Sequence, residues 1–202
     1  MNLKLINIKS LGGIHPEGTR WLRGSDLSHF PTLENAYLTI TDGKISDFGP
    51  MTHCPQDELP TRDCSDRHVL PAFVDSHSHL VYAGTREEEF NLRLKGASYE
   101  EIAAAGGGIL NSAAKVSTSS VDQLVSQATF RLKNLIDCGT GTLEVKSGYG
   151  LDPENELKLL RAIKALNDQS HATLVPTFLA AHALPAWAKA QGMNDASYTK
   201  YM

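Results

Sequence analysis

The sequence predicts a protein of the α/β class, and three observations support this prediction. Short alternating stretches fill residues 1–68, apolar strands alternate with amphipathic helices over residues 69–202, and polar residues follow the ends of those strands. Strand–helix–strand order with nearly continuous apolar strands indicates a parallel sheet covered by helices. We therefore expect a β segment followed by a strand–helix domain, and both a doubly wound sheet and a barrel satisfy the local pattern of that domain.

The N-terminal segment has the period-two pattern of strands. Ala36, Leu38 and Ile40 alternate with polar residues, and Asp42-Gly43 between TLENAYLTI and KISDFG predicts a hairpin turn. Over residues 3–8 the apolar positions change face, which indicates a strand that is buried on both sides or bulged.

The second region contains three apolar stretches and two capped helices. HVLPAFVDSHSH, TGTLEVKSG and ATLVPTFLAAHA are predicted strands. Ser120 with Gln123 forms a capping box for one helix, and Asp152 followed by Pro153 predicts the start of another. The apolar stripe of the second helix is Leu157, Leu160, Ile163 and Leu166.

Composition excludes several classes of protein. The net charge of −4 and pI of about 6.0 provide no basic surface for nucleic acid or anionic lipid. No apolar run reaches the roughly 18 residues of a membrane helix, and the N-terminus lacks a signal-peptide pattern. The three cysteines have no metal-binding spacing and are expected to be buried, reduced thiols. We expect a cytoplasmic protein that binds neither nucleic acid nor membranes.

A histidine pair marks the end of the first strand in this region. His77 and His79 are two residues apart in VDSHSHL, so both imidazoles can point to the same face of a strand and reach one metal ion. Imidazole suits Zn and Fe(II), and metal sites of α/β enzymes lie at the carboxyl ends of strands. We therefore predict a metal site here rather than two structural histidines.

Other candidates allow two interpretations each. Arg86 in TREEEF could bind a substrate carboxylate or pair with the glutamates that follow it. Lys146 could bridge two metals as a carboxylated lysine, or form an ion pair with Glu144. Tyr149 could contact a ligand or pack over a turn, and His182 alone would more often be structural. The glycines at 106–108 lack the lysine of a phosphate loop, which disfavours nucleotide binding and indicates closely approached backbone.

Taken together, VDSHSHLVYAGTREEEF, AGGGIL, EVKSGYGLDPENELKLLR and TFLAAHALP resemble the imidazolonepropionases of the metal-dependent amidohydrolase superfamily. The resemblance covers residues 68–185. It implies a partial (β/α)8 barrel of about three βα units, preceded by a small β-sandwich segment. A closed barrel takes about 250 residues, whereas about 134 follow the β segment here, so we expect the N-terminal half of such a protein.

The resemblance also implies an activity and a set of roles. Imidazolonepropionases use water to open the ring of 4-imidazolone-5-propanoate, giving N-formimidoyl-L-glutamate in histidine degradation, with one Zn or Fe ion per active site. His77 and His79 match metal ligands, and His182 matches a residue that contacts the ring and stabilises developing charge. Arg86, Tyr149 and Tyr99 match substrate-contacting positions. A homodimer is one expected assembly.

Two rival hypotheses remain open from the sequence. The family's third histidine ligand, its catalytic glutamate and its metal-binding aspartate come from later strands, so the chain could instead be a non-catalytic remnant or binding module. A second enzymatic alternative is a two-metal cyclic-amide hydrolase that uses carboxylated Lys146. The number of metal ions per chain distinguishes these hypotheses.

Overall fold

The computed structural model of the chain describes residues 1–104 and 107–202, with side chains described at all of these except 99, 103 and 104. It divides into two compact units, Met1–Pro71 and Ala72–Met202. Each unit has its own sheet and its own cluster of buried apolar side chains.

The N-terminal unit is a five-stranded sheet in the order β3-β2-β1-β4, with β5 also paired to β1. Strands β1 and β2 are antiparallel, whereas β4 and β5 lie parallel to β1. The bounds are β1 Leu3–Gly12, β2 Thr32–Thr41, β3 Lys44–Pro50, β4 Thr61–Asp63 and β5 His68–Val69.

Two local features of this sheet were predictable. The β2–β3 hairpin turns at Asp42 and Gly43, whose φ angles of 52° and 75° are those that a tight hairpin turn requires. The pairing of β1 with β2 shifts register between Leu5 and Ile8, so the bulge alternative for this strand is confirmed. The buried cluster of the unit comprises Ile8, Leu11, Ala36, Leu38 and Cys64.

The C-terminal unit is a parallel three-stranded sheet, in the order β6-β7-β8, together with seven helices in the described residues. Its strands are β6 Phe73–Ser78, β7 Thr140–Lys146 and β8 Thr173–Thr177. Its helices are α1 Glu87–Leu94, α2 Tyr99–Ala104, α3 Ile109–Thr118, α4 Val121–Asp137, α5 Pro153–Gln169, α6 Ala186–Ala190 and α7 Asp195–Tyr201. The mixed α/β class is thus confirmed.

The two long helices begin where the sequence predicts. The Ser120 and Gln123 side chains form the capping box of α4, and the Asp152 side chain accepts a hydrogen bond from the Asn155 amide at the start of α5. Both helices contribute to the core that buries Leu143 and other side chains of the sheet. On the other strands of the sheet, Phe73 and Val175 are exposed.

Four details differ from the sequence-based expectations. The stretch His68–His79 is two strands, because β5 pairs with β1 and β6 with β7, and Pro71 between them lacks an amide hydrogen. Strand β8 ends at Thr177, which pairs with the last residue of β7, so His182 lies beyond the strand. On α5, Leu157 is 48% exposed. The cysteines are free, but only Cys64 is buried.

None of the helices in residues 1–104 and 107–202 combines the length and apolar character that a membrane crossing requires.

Candidate active site

The histidine pair lies at the carboxyl end of β6. His77 is the second-last residue of the strand and is exposed, whereas His79 follows the strand and is half-buried. Their ring centroids are 5.8 Å apart, with an angle of 64° between the ring planes. Both imidazoles therefore lie at one edge of the sheet, within reach of a common ligand.

His79 is the centre of an aromatic cluster that we call the ring cluster: His77, His79, Tyr149 and His182. The Tyr149 ring stacks on the His79 ring, with centroids 4.7 Å apart and an interplanar angle of 21°. The centroid of the His182 ring lies 5.5 Å from that of His79. The cluster brings together side chains that follow all three strands of the sheet, as the ends of parallel strands do in α/β enzymes.

The electrostatic surroundings of His79 favour its neutral form. Burial lowers the pKa of His79, and the nearby His182 and His77 lower it further, while the backbone of Ser147 opposes the shift. Its Nδ1 atom is buried without a hydrogen-bond partner among the described residues. A neutral imidazole nitrogen without a partner is a group that can bind a metal ion.

Arg86 reaches the site from the segment after β6. Its Nε atom donates to Glu89 Oε2 at 2.8 Å, and this contact holds the pKa of the Glu89 carboxyl below its usual value. The ion pair with a following glutamate, one of the two interpretations of Arg86, is therefore present. Arg86 also lines a cavity of about 200 Å³ together with His79, Tyr82, Ser112 and Tyr149.

Lys146 forms the ion pair that the simpler interpretation predicts. Its ammonium group contacts the Glu144 carboxylate, which also accepts a hydrogen bond from the Thr177 hydroxyl at 2.6 Å. These two contacts lower the pKa of Glu144. Because the ammonium group is engaged by a carboxylate, the structure gives no support to a carboxylated lysine at this position.

Four further positions were singled out in the sequence, Tyr99 and the glycines at 106–108. The Tyr99 side chain and Gly106 lie outside the described residues. Gly107 meets its neighbours closely, since a Cβ atom there would lie 2.8 Å from Ile102 Cγ2, as expected for closely approached backbone. Gly108 caps α3 with a φ of 83°.

Sequence reasoning missed one buried polar group next to the ring cluster. Glu156 on α5 is fully buried, and its carboxylate accepts hydrogen bonds from backbone amides on both sides of Tyr149. The available signal was a glutamate shortly after the glycine-flanked Tyr149, but helical periodicity assigned no role to that position.

The described residues do not form a complete metal-binding set. Over 1–104 and 107–202, no group of three or more His, Cys, Asp and Glu side chains is arranged to hold a metal ion. The histidine pair is therefore a two-ligand arrangement, whereas catalytic zinc sites use three protein ligands.

Comparison with known proteins identifies clear relatives. No family model matches the chain. It is 45% identical over 186 residues to the imidazolonepropionase of Christiangramia forsetii, covering 92% of this chain and 45% of that protein. It is 44% identical over 193 residues to the imidazolonepropionase of Flavobacterium johnsoniae, covering 95% of this chain and 46% of the relative. The chain thus spans about half the length of the curated relatives it matches.

Solved structures resemble the fold. A guanine deaminase from E. coli superposes with a TM-score of 0.60 at 16% identity, covering 87% of this chain and 35% of that one. A triazine hydrolase from Arthobacter aurescens superposes with a TM-score of 0.55 at 13% identity, covering 88% of this chain and 35% of that one. These structures have the amidohydrolase fold, and at such identities the likeness concerns the fold alone.

Proposed function

Because this chain is related in sequence to the imidazolonepropionases and matches their N-terminal half, we propose that it forms part of an enzyme that hydrolyses 4-imidazolone-5-propanoate to N-formimidoyl-L-glutamate. We propose that this protein is cytoplasmic. In it, residues 69–202 would form the first βα units of a (β/α)8 barrel, and residues 1–68 would form a β-sandwich segment. Parallel sheets are normally covered on both faces, so the exposed Phe73 and Val175 support further chain packed against this sheet, as a barrel would provide.

The observation that carries the proposal is the ring cluster beside the cavity that Arg86 lines. A ligand with a small polar ring and a carboxylate needs aromatic or imidazole groups near the ring and a cation near the carboxylate. His79 and Tyr149 line the same 200 Å³ cavity as Arg86. The two kinds of group therefore meet in one space suited to a ligand smaller than a drug molecule.

His77 and His79 would hold one Zn or Fe ion in this enzyme. The buried Nδ1 of His79 without a partner fits such a role, and the lowered pKa of His79 keeps its imidazole neutral. The chemistry that the ion supplies when bound is activation of water for attack on the ring amide. The remaining ligands would come from outside the described residues.

The other side chains bind and orient the substrate. Arg86 would bind the propanoate through charge-assisted hydrogen bonds, with Glu89 orienting the guanidinium. Tyr149 would hold the substrate ring next to His79, and this positioning reduces the entropic barrier to reaction. His182 would donate a hydrogen bond to the oxygen that gains charge, a contribution of about 3 kcal/mol in comparable sites. Tyr99 remains a proposed pocket residue.

Elemental analysis of the purified chain tests the proposal first. With only two of the ligands present, we expect up to about one Zn or Fe per chain after equilibration with excess metal. This binding should be lost in His77→Ala and His79→Ala and retained in a His171→Ala control, because His171 is an exposed histidine of the same unit. Metal binding without loss of 4-imidazolone-5-propanoate would contradict catalysis by this chain. No metal in any variant would contradict the metal site and favour a non-catalytic binding module, whereas two metals would favour the two-metal hydrolase.

A further inference from the structure

Glu156 is a buried carboxylate with an unusual set of partners. Its side chain is 0% exposed, yet it forms no ion pair with a basic side chain in the described part of the chain. Instead it accepts hydrogen bonds from the amides of Gly148 at 2.9 Å, Gly150 at 2.6 Å and Leu151 at 3.1 Å. Burying a charge is costly unless hydrogen bonds compensate it, so these three contacts account for its presence in the core.

All three donors belong to one segment, residues 148–151, which we call the tyrosine loop because Tyr149 lies in it. The backbone of this loop is unusual. Gly148 has a φ of 105° and Leu151 a φ of 57°, both in the left-handed region that L residues seldom adopt. A Cβ atom on Gly150 would lie 2.6 Å from the carbonyl carbon of Asn155. The loop conformation therefore depends on contacts that hold it against α5.

The start of α5 does not need Glu156. Asp152 already caps the helix by accepting from the Asn155 amide at 2.9 Å, and Glu156 lies one turn further on. Its carboxylate is thus committed to the loop and not to the helix terminus.

A second buried side chain connects the loop to the segment that carries His182. The hydroxyl of Tyr198, 1% exposed, lies 3.0 Å from the Leu151 carbonyl and 3.4 Å from the Ala180 carbonyl. Ser147 adds another connection, since its hydroxyl accepts from the Leu179 amide at 3.0 Å. Tyr149 and His182 are therefore carried by two segments with shared buried hydrogen bonds.

We propose that Glu156 is a positioning residue whose carboxylate sets the tyrosine loop in the conformation that stacks Tyr149 on His79. The consequence for ligand binding rests on the proposed function, but the effect on Tyr149 does not. Removing the carboxylate leaves three loop amides without acceptors, and the Tyr149 ring loses its fixed place beside His79.

NMR of the purified chain tests this proposal without any ligand. Samples labelled in the tyrosine rings and the backbone nitrogen would be compared as wild type, Glu156→Gln and Glu156→Ala, with the exposed Glu154→Gln on the same helix as the control. We expect the ring-current shift of Tyr149 from His79 to disappear in Glu156→Ala and to be clearly reduced in Glu156→Gln, because the glutamine oxygen can still accept from Gly150 and Leu151 while its NH2 group faces the Gly148 amide. The amides of Gly148, Gly150 and Leu151 should exchange at least about tenfold faster relative to α4 amides. Glu154→Gln should match the wild type.

Chemical rescue separates positioning from general loss of stability. Acetate should occupy the space left in Glu156→Ala and restore the Tyr149 shift until binding saturates. Acetamide, with one acceptor oxygen in place of two, should restore the shift less, and sodium chloride at the same concentration should not restore it. If Glu156→Ala does not fold, Glu156→Gln decides the question, since it keeps the side-chain volume. A folded Glu156→Gln with the wild-type Tyr149 shift would overturn the proposal, as would rescue by acetamide equal to that by acetate.

Binding of 3-(imidazol-4-yl)propanoate, which keeps the ring and the carboxylate, extends the test to the site. We expect its affinity to fall in Glu156→Gln and to recover in parallel with the Tyr149 shift when acetate rescues Glu156→Ala. Absence of binding by the wild type would count against the proposed function, while the Tyr149 shift would still decide the role of Glu156.

Discussion

The segments that follow neighbouring strands β6 and β7 are held in place by different means. After β7, the tyrosine loop is fixed by the fully buried Glu156 and by the Tyr198 hydroxyl. After β6, none of the eight residues of α1, all within the described chain, is buried, and Phe90 and Leu94 are 61% and 70% exposed. The segment before α1 includes the buried Leu80 and Val81, and the ion pair between Arg86 and Glu89 joins the start of α1 to its first turn.

This difference shows that one sheet edge can combine two kinds of support. Buried hydrogen bonds hold a single loop conformation, because leaving a buried donor or acceptor unpaired costs about 1–3 kcal/mol. An ion pair with one exposed partner, such as Arg86 with Glu89, contributes about 1 kcal/mol, so it orients a side chain more than it fixes the backbone that carries it. Substitutions in the two segments should therefore differ in their effect on stability, even where both segments contribute to the same site.

The largest difference in the free energy of unfolding is expected between two glycine substitutions, one in each segment. Gly150→Ala places a Cβ atom 2.6 Å from the backbone of Asn155 and should lower the free energy of unfolding by about 3 kcal/mol. Gly96→Ala, just after α1, meets no atom within 4 Å, so only its φ of 91° matters, and we expect a loss of about 1 kcal/mol.

Urea unfolding measures both changes if the C-terminal unit is observed separately. The chain has two tryptophans, Trp21 and Trp187, one in each unit. In a Trp21→Phe background, the fluorescence of Trp187 reports on the C-terminal unit. Equal losses for Gly150→Ala and Gly96→Ala would contradict the distinction between a tightly held and an open segment.

The sequence predicted features whose cause is local and missed those whose cause is tertiary. The capping residues Ser120 and Asp152 act within one helical turn, so their roles follow from spacing alone. On α5, periodicity placed Leu157 inside, yet Leu157 is exposed and Glu156 beside it is buried. Burial of Glu156 depends on amides of a loop whose approach to the helix cannot be read from helical periodicity.

The same distinction applies to the candidate site. His77 and His79 were predictable as a pair because strand geometry relates them directly. The stacking of Tyr149 on His79 could not be predicted, because it depends on the register between β6 and β7 and on the conformation of the tyrosine loop. His182 was expected at a strand end, but β8 has no partner beyond the end of β7 and finishes at Thr177.

Ionisation of Tyr198 at high pH is expected to destabilise the C-terminal unit. Burial, with added repulsion from Glu156 and Asp152, raises the pKa of Tyr198 from 10.0 to about 12. The neutral phenol is thus favoured in the folded state, so its contribution is fully present below pH 10 and is lost as the pH rises towards 12. The C-terminal unit should lose about 2–3 kcal/mol over this range.

Tyr198→Phe is the control for that loss. The difference in unfolding free energy between wild type and Tyr198→Phe should shrink as the pH rises, since the variant has no phenol to ionise. The measurement must use Trp187, because hydrogen bonding to Asp47 also raises the pKa of Tyr37 in the N-terminal unit to about 12. A constant difference across the range would contradict the role assigned to burial of Tyr198.

A smaller effect is expected when the Ser147 hydroxyl is removed. Ser147→Ala leaves the Leu179 amide without its acceptor and should lower the unfolding free energy by about 1–2 kcal/mol. Ser117 in α3 is a suitable control, because its exposed hydroxyl only donates to a carbonyl of its own helix. Ser117→Ala should change the free energy by less than about 0.5 kcal/mol. Equal effects of the two substitutions would argue against a supporting role for the buried hydroxyl.

The smallest effect on stability is expected at Arg86, where the effect on binding should be the more informative. Arg86→Gln removes an ion pair in which Arg86 is 43% exposed and Glu89 13% exposed, so the unfolding free energy should fall by about 1 kcal/mol. Loss of a charge-assisted contact should nevertheless weaken binding of 3-(imidazol-4-yl)propanoate at least about tenfold in calorimetric titration. Arg93→Gln, at the other end of α1, should leave both quantities unchanged. If Arg86→Gln instead destabilises the unit as strongly as Ser147→Ala does, the segment after β6 depends on Arg86 as much as the tyrosine loop depends on its buried hydrogen bonds. The contrast between the two segments then fails.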